Sequence, residues 1–394
     1  MKLDQFAKAI GFETYPAQLD SLWDDLLSDN TPACDLAHID KLQADYDTFG
    51  EYYPLVRETA AKVNADPQCN TWVKTAIAYA KDKNVKETSL LPTPKMDGSA
   101  LRDLLPLYIL IGLAPAGIAE LRQRGFSEIE IGRLMHRFWD GIDINRGIYG
   151  RPAINQRYFG WLTRFVKAQI FELEVLQFEI QKAPKTATYL RNKQTGIIVP
   201  FLNEGVVHRS GQQMLGSEGF ENDEGAYEVS FSEDDDNFYG YGCFDCIIDT
   251  TLKAYPKSEW EAYLRPGEDM LSFHIPRGSD ISPETIREQF LLGRKIARER
   301  FPEHKGFDIH GSTWLFDPSL NEIVRPDSKI AQLMKLFCRY PLKSDGSSVF
   351  LFVFDGKPAD LNDLPEDSSL RRGLKKMYLE GRCNHLYAGI VTAF

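Results

Sequence analysis

Two histidines, His274 and His310, are the residues of this sequence best suited to moving protons. Each lies in a strand-like run, His274 within Met270-Leu271-Ser272-Phe273-His274-Ile275 and His310 within the stretch from Phe307 to Phe316. If the two strands are neighbours in one sheet, both imidazoles can face one cleft, and imidazole is the side chain poised for proton transfer near neutral pH. Two hydrogen-bonded, half-buried histidines with structural roles fit the pattern equally well. Asp317-Pro318 closes the second run, either as a turn, the favoured reading, or as a carboxylate held at a strand's C-terminal edge. Metal ligation needs a third ligand at a recognisable spacing, and HxxxH and HExxH are both absent, so no metal is expected. Cys243 and Cys246 make a CxxC pair without the second pair of a zinc site and without the helix N-terminus that lowers a thiol pKa. The acidic run Ser232–Asn237 lacks the spaced ligands of a calcium loop and reads as a solvated hairpin turn. No GxSxG elbow, Walker loop or GxGxxG occurs, which removes the easiest hydrolase, nucleotide-kinase and dehydrogenase readings.

The elements between the two histidines must position them. Pro276 to Ile281 is too rich in Pro, Gly and small polar residues for anything but a turn. Ser282-Pro283 reads as an N-cap followed by proline at the first helical position. The helix it opens carries Ile286, Phe290, Gly293 and Ala297 on one face, with acidic residues near its start and basic ones near its end. Strand, Gly-containing turn, capped helix, strand offers free amides to a phosphate. It is also an ordinary βαβ packing unit, the reading a single Gly favours.

Up to about Phe165 the periodicity is helical. Leu19, Leu22, Trp23 and Leu26 share one face, as do Trp72, Ala76, Tyr79 and Ala80. Leu101–Arg122 reads as a helix kinked at Pro106 and Pro115. Ser127 with Glu130 has the spacing of a capping box, and Arg151–Phe165 reads as a further helix. The run Phe171–Ile180 then alternates apolar and acidic residues as a strand does. A domain boundary is expected near Val166, giving a helical domain over 1–165 and a sheet domain over 166–394. Within the second, strands are expected over Thr195–Phe201, Tyr227–Phe231, Cys243–Thr250, Val349–Phe354 and Leu386–Phe394. Helices are expected at Ser258–Glu261, Asp327–Phe337 and Ser368–Glu380.

The 394 residues suffice for two or three domains and a large core. A formal charge of −11 argues against nucleic acid and anionic membrane surfaces, where Lys and Arg supply the affinity. The N-terminus lacks the features of a secretory signal. The most apolar window, Leu104–Ala119, reads as too short and too proline-interrupted to cross a bilayer. A cytoplasmic protein with reduced thiols is expected.

The chain resembles a family of bacterial acyltransferases of inferred activity, with a helical N-terminal region and a GNAT-like C-terminal domain. The motifs that carry the resemblance are Leu271-Ser272-Phe273-His274-Ile275-Pro276-Arg277-Gly278, Phe301-Pro302 and Ser312-Thr313-Trp314-Leu315-Phe316-Asp317-Pro318. Leu176-Gln177-Phe178-Glu179 and Pro326-Asp327-Ser328-Lys329-Ile330 agree with them, and the match spans roughly 104–374. It implies an α+β chain, an all-helical domain followed by a mixed α/β domain around a central, mostly antiparallel sheet. It also implies that acetyl-CoA or another acyl-CoA is held by a strand edge and the next helix's N-terminus, here Phe273, Ile275, Arg277, Gly278, Ser279 and Ser282. The turn departs from the usual Q/R-x-x-G-x-G/A signature in having a single Gly, followed by Ser279 and Asp280. The implied reaction transfers an acyl group to an amine or hydroxyl acceptor. His274 or His310 would be the base, Asp317 would orient one of them, and Trp314 and Ser312 would line the acceptor pocket. A catalytically silent GNAT-like scaffold or ligand-binding protein is the alternative, and a thioester hydrolase using the same histidines a weaker one. The acceptor is unspecified, and a homodimer is left open.

Overall fold

The computed structural model describes residues 1–82, 91–354 and 356–392, so the last two residues of the expected C-terminal strand lie outside the described residues. The chain forms two compact units, Met1–Glu172 and Leu173–Phe394.

The first unit is built of helices, among them Leu3–Ile10, Gln18–Leu26, Pro67–Lys81, Leu105–Gln123, Glu128–Tyr149 and Gln156–Val166. Its core gathers large aromatics: Phe6 stacks on Trp23 at 5.0 Å, and Phe12 lies 4.7 Å from Trp72. Side-chain caps set the helix starts. Asp35, Asp66 and Asn155 accept first-turn amides, and Ser127 with Glu130 closes a full capping box. The expected helix from Arg151 begins only at Gln156, because Arg151 turns aside to bond the buried Asp103 carboxylate at 2.6 Å. Pro106 does not kink a helix but starts one, where its missing N–H costs nothing, and Pro115 is accommodated inside it. The resulting Ala100–Gln123 segment is long and apolar enough to cross a membrane by length and composition, contrary to the expectation, yet 72% of its apolar window is buried in the protein.

In the second unit, five strands form the sheet that matters here: β1 (Gln177–Lys182), β2 (Asp269–His274), β3 (Ile309–Thr313), β4 (Phe337–Pro341) and β5 (Tyr387–Val391), in the order β1-β2-β3-β5-β4. Every pairing is antiparallel except β2 with β3, which a crossover helix, Pro283–Arg300, connects. The expected run Phe171–Ile180 is broken, because Leu173 N–H turns back to Leu176 C=O at 2.8 Å and β1 starts afresh at Gln177.

The pleat divides the sheet's side chains between two faces. Phe178, Phe273 and Phe337 project under the crossover helix, and Phe290 meets them at ring distances of 6.2, 5.1 and 6.0 Å. Gly293 allows the approach, since a Cβ there would sit 2.6 Å from the Phe178 ring. The opposite face carries Met270, Tyr340, Ala388 and Ile390 into a core shared with Tyr189, Leu202, Val207 and Leu264 from smaller antiparallel sheets.

Three local expectations fail within this unit. Ser258–Glu261 does not start a helix; Trp260–Leu264 is a strand paired with Ala187–Asn192, its aromatic residues packing on the neighbouring strands. Cys243–Thr250 is not one strand but a hairpin turning at Asp245 and Cys246, both at positive φ (48° and 67°). Ser348–Phe352 is a helix, since a short apolar run does not by itself distinguish helix from strand.

Candidate active site

The parallel pair supplies the opening. Strands β2 and β3 are in register only at Leu271 with Ile309 and Ser272 with His310. Beyond that point β2 stays with β1 as far as His274, and β3 stays with β5 as far as Thr313. The two parallel strands therefore part at their C-terminal ends, the position where open α/β sheets bind ligands. Leu271 donates its N–H toward the β3 side, to Asp308 C=O at 3.0 Å. Phe273, two residues on, spends its N–H on His310 C=O in the last step of the parallel ladder and presents its C=O to the same side, where the pairing has stopped.

His274 ends β2 beside this opening, and its side chain keeps 30% of its exposure. Its Nε2 lies 3.1 Å from Glu179 Oε2 on β1, a carboxylate only 8% exposed. The register explains the contact: Glu179 is opposite Ser272, on the same face as His274 and one diagonal step away. A carboxylate accepts, so Nε2 is the ring nitrogen that carries the proton.

His310 is placed differently. It shares the face of His274, but it is 4% exposed, its ring meets Tyr189 edge-on at 6.1 Å, and its Nε2 has no hydrogen-bond partner. Burial pushes its pKa from 6.5 down to about 4. It is a neutral core residue, and only His274 of the expected pair stands at the opening.

Asp317 is nearly fully buried, and its partner is neither expected histidine. Its carboxylate accepts the backbone N–H of His385 at 2.6 Å and of Ser319 at 2.8 Å, and its Oδ2 lies 3.8 Å from His385 Nδ1. Burial raises its pKa, against the pull of these hydrogen bonds. His385 in turn reaches Glu218 C=O through Nε2 at 2.8 Å. Asp317 thus ties the short helical turn after β3 to the segment entering β5.

The turn after β2 is organised by one glycine. Pro276 C=O accepts Ser279 N–H at 3.2 Å, and Gly278 at φ +83° holds the third position, as a type II turn requires. Nothing lies within 4 Å of where its Cβ would be, so the demand is for the dihedral and not for space. Arg277 and Gly278 are exposed and Ile275 half-buried, while Ser279 donates its hydroxyl to Val175 C=O at 2.9 Å. Ser282 holds the N-cap position, but its hydroxyl contacts Asp280 and Thr285 and caps no amide, and Pro283 has no N–H to cap. The amides of the first helical turn are therefore left without a side-chain cap. Asp280 is neutralised by Lys329 at 2.7 Å, which, with hydrogen bonds from Ser282 and Thr285, holds its carboxyl down at about 2. Phe273 offers only its backbone, because its side chain is spent on the core beneath the crossover helix. Past the opening on β3, Ser312 is exposed and Trp314 half-buried.

The CxxC pair is buried in its hairpin, and burial pushes the Cys246 thiol up to about 11. Among the described residues, no cluster of three or more His, Cys, Asp or Glu is arranged to hold a metal.

A mostly antiparallel sheet whose single parallel pair parts beside a helix N-terminus defines a GNAT-like α/β protein. The chain belongs to the family of the GNAT-like C-terminal domain, whose family model matches residues 170–391. No curated protein matches the sequence. Among solved structures, it is similar over 100% of both chains to an acyltransferase mutant in complex with octanoyl-CoA (18% identity, TM-score 0.66). It is also similar to an acyltransferase in complex with decanoyl-CoA and teicoplanin, over 99% of each chain (19% identity, TM-score 0.64). A third, an acyltransferase with CoA and 10C-teicoplanin, gives 19% identity and a TM-score of 0.62 over 100% of this chain and 99% of the other. At such identities the likeness is one of fold.

Proposed function

We propose that this protein is an acyl-CoA-dependent acyltransferase that moves an acyl group from the thioester to an amine or hydroxyl acceptor. The observation that carries the reading is the parting of β2 and β3 with the His274–Glu179 pair beside it. The solved structures of the same fold that hold octanoyl-CoA and decanoyl-CoA support the donor class.

The residues present fit such a donor. Phe273 C=O, past the last β2–β3 pair, would accept from an amide of the pantetheine arm. The first-turn amides of the crossover helix, with Arg277 beside them, would hold the phosphates. Asp280, whose negative charge would oppose a phosphate, is offset by Lys329. Acyl-CoA supplies a carbonyl activated by a thiolate leaving group. His274 would take the acceptor's proton as the new C–N or C–O bond forms, and Glu179 would fix the ring's tautomer and favour the imidazolium. Ser312 and Trp314 would line the acceptor side.

Thioester binding by isothermal titration, followed by release of free CoA in the presence of amines, tests the reading. His274→Ala should lower kcat by a factor of about 10²–10⁴ with little change in donor affinity. Glu179→Gln should lower kcat by about tenfold, also without weakening the donor. Wild-type turnover in His274→Ala would remove the base, and absence of any thioester binding would leave a GNAT-like scaffold without its donor.

A further inference from the structure

A second cavity, of about 500 Å³, lies at the other end of the same βαβ unit. The opening described above sits at the C-terminal ends of β2 and β3, by the first turn of the crossover helix. This cavity is lined by Asp308, which immediately precedes β3, by Lys305 in the same connection, and by Arg294 and Arg298 from the C-terminal half of the helix. Arg191 and Tyr263 join the wall from a neighbouring sheet, and Val391 and Thr392 from the end of β5.

We propose that this cavity is a ligand site separate from the opening, and that it binds a small phosphorylated compound through Arg191, Arg294, Arg298 and Lys305. Four cations converge here in a chain of net charge −11. Helix-dipole compensation accounts for basic residues near the end of the crossover helix, but not for Arg191 and Lys305 arriving from two other elements. The lining carboxylate, Asp308, is already engaged by the Tyr263 hydroxyl, and Arg191 is paired with Glu261 at 2.6 Å.

The guanidinium groups are also held in place. Arg191 lies over the Tyr263 ring at 5.2 Å and Arg298 over the Phe307 ring at 5.2 Å, while Arg294 Nε donates to Phe307 C=O at 3.1 Å. Stacked, anchored guanidinium groups lose little freedom when they bind an anion. A phosphate can accept from several forked donors at once, whereas a lone carboxylate saturates with one fork, so the multiplicity of cations selects for phosphate. Burial lowers the proton affinity of Arg294 against the pull of Asp308, a cost that a bound anion would offset.

The test is titration of inorganic pyrophosphate into the full chain at low ionic strength. Arg298 and Lys305 are exposed, so Arg298→Gln with Lys305→Gln should fold normally, verified by an unchanged melting temperature. The double variant should weaken binding at least about tenfold for each charge-assisted hydrogen bond lost. Arg294→Lys, which keeps the charge and loses the fork, should weaken it less. Arg277→Gln, at the opening, should remove only the heat that pyrophosphate gives at the donor's phosphate site and leave the component that the double variant removes. The proposal is overturned if wild type gives no heat, if the double variant binds as wild type does, or if all binding disappears with Arg277→Gln. Because Arg298 and Lys305 line this cavity and not the opening, the loss in the double variant is independent of the proposed acyl transfer.

Discussion

His310 makes the sharpest prediction about which histidine can act. Its ring is buried and its pKa is depressed from 6.5 to about 4, so the folded protein binds this proton less readily than the unfolded chain. As pH falls through 6.5 the unfolded chain takes up a proton that the native state refuses, and stability is lost until pH 4, below which both states are protonated. The full difference of about 2.5 pKa units corresponds to about 3 kcal/mol, of which about 2 kcal/mol is already lost at pH 5. His310→Gln removes the titration while keeping a polar side chain of similar reach. Urea unfolding of both proteins between pH 7.5 and 4 isolates the effect, because all other titrating groups are common to the pair. The wild type should lose stability relative to the variant over this window, whatever constant offset the lost contact with Tyr189 adds. Parallel pH profiles would mean that His310 is hydrated and able to gain a proton, and it would return as a candidate base.

The other predictions concern three glycines. Gly117→Ala places a Cβ 2.1 Å from the Val166 carbonyl oxygen, a backbone atom that cannot swing aside, so overpacking of about 2 kcal/mol or more should outweigh the helix-propensity gain of about 1 kcal/mol. Gly147→Ala, at a helical position with nothing within 4 Å, should instead raise stability by about 0.5–1 kcal/mol, and urea midpoints that move the same way for both would refute the packing argument. Gly278→Ala should leave the core intact but strain the φ +83° turn by about 1–2 kcal/mol. Weaker acetyl-CoA binding with a small drop in melting temperature is the expected result, and unchanged values of both would refute the role given to the turn.

The crossover unit was legible because local signals agree there. Ser282-Pro283, the Phe290 and Gly293 face and the turn glycine point to strand, turn, helix, strand, and that is what forms. Legibility failed where tertiary partners decide. Trp260–Leu264 is a strand because Ala187–Asn192 lies beside it, and Ser348–Phe352 is helical although its five residues carry no usable period. The turn residues were readable in type but not in bonding. Ser282 stands at the expected N-cap, yet nothing local shows that its hydroxyl would go to Asp280 and Thr285, or that Lys329 would arrive to neutralise Asp280.

The proposed base shows the same limit more clearly. Strand alternation places His274, Ser272 and His310 on one face, but alternation alone cannot rank two histidines of that face. What ranks them is where pairing stops. His310 lies inside the paired stretch, flanked by Ser272 on one side and Ile390 on the other, so it is desolvated. His274 lies two residues past the last β2–β3 pair, so it is paired on one side only and keeps solvent access. Glu179 was visible as one acidic residue of an alternating run. It became a partner for His274 only through the antiparallel register of β1 with β2, which joins residues from distant parts of the chain. Breaking the register by one residue would turn Glu179 into the face beneath the crossover helix and leave the imidazole without its carboxylate. The chemistry proposed for this opening is therefore a property of strand register and of where a parallel pair ends, and those are set by the sheet as a whole.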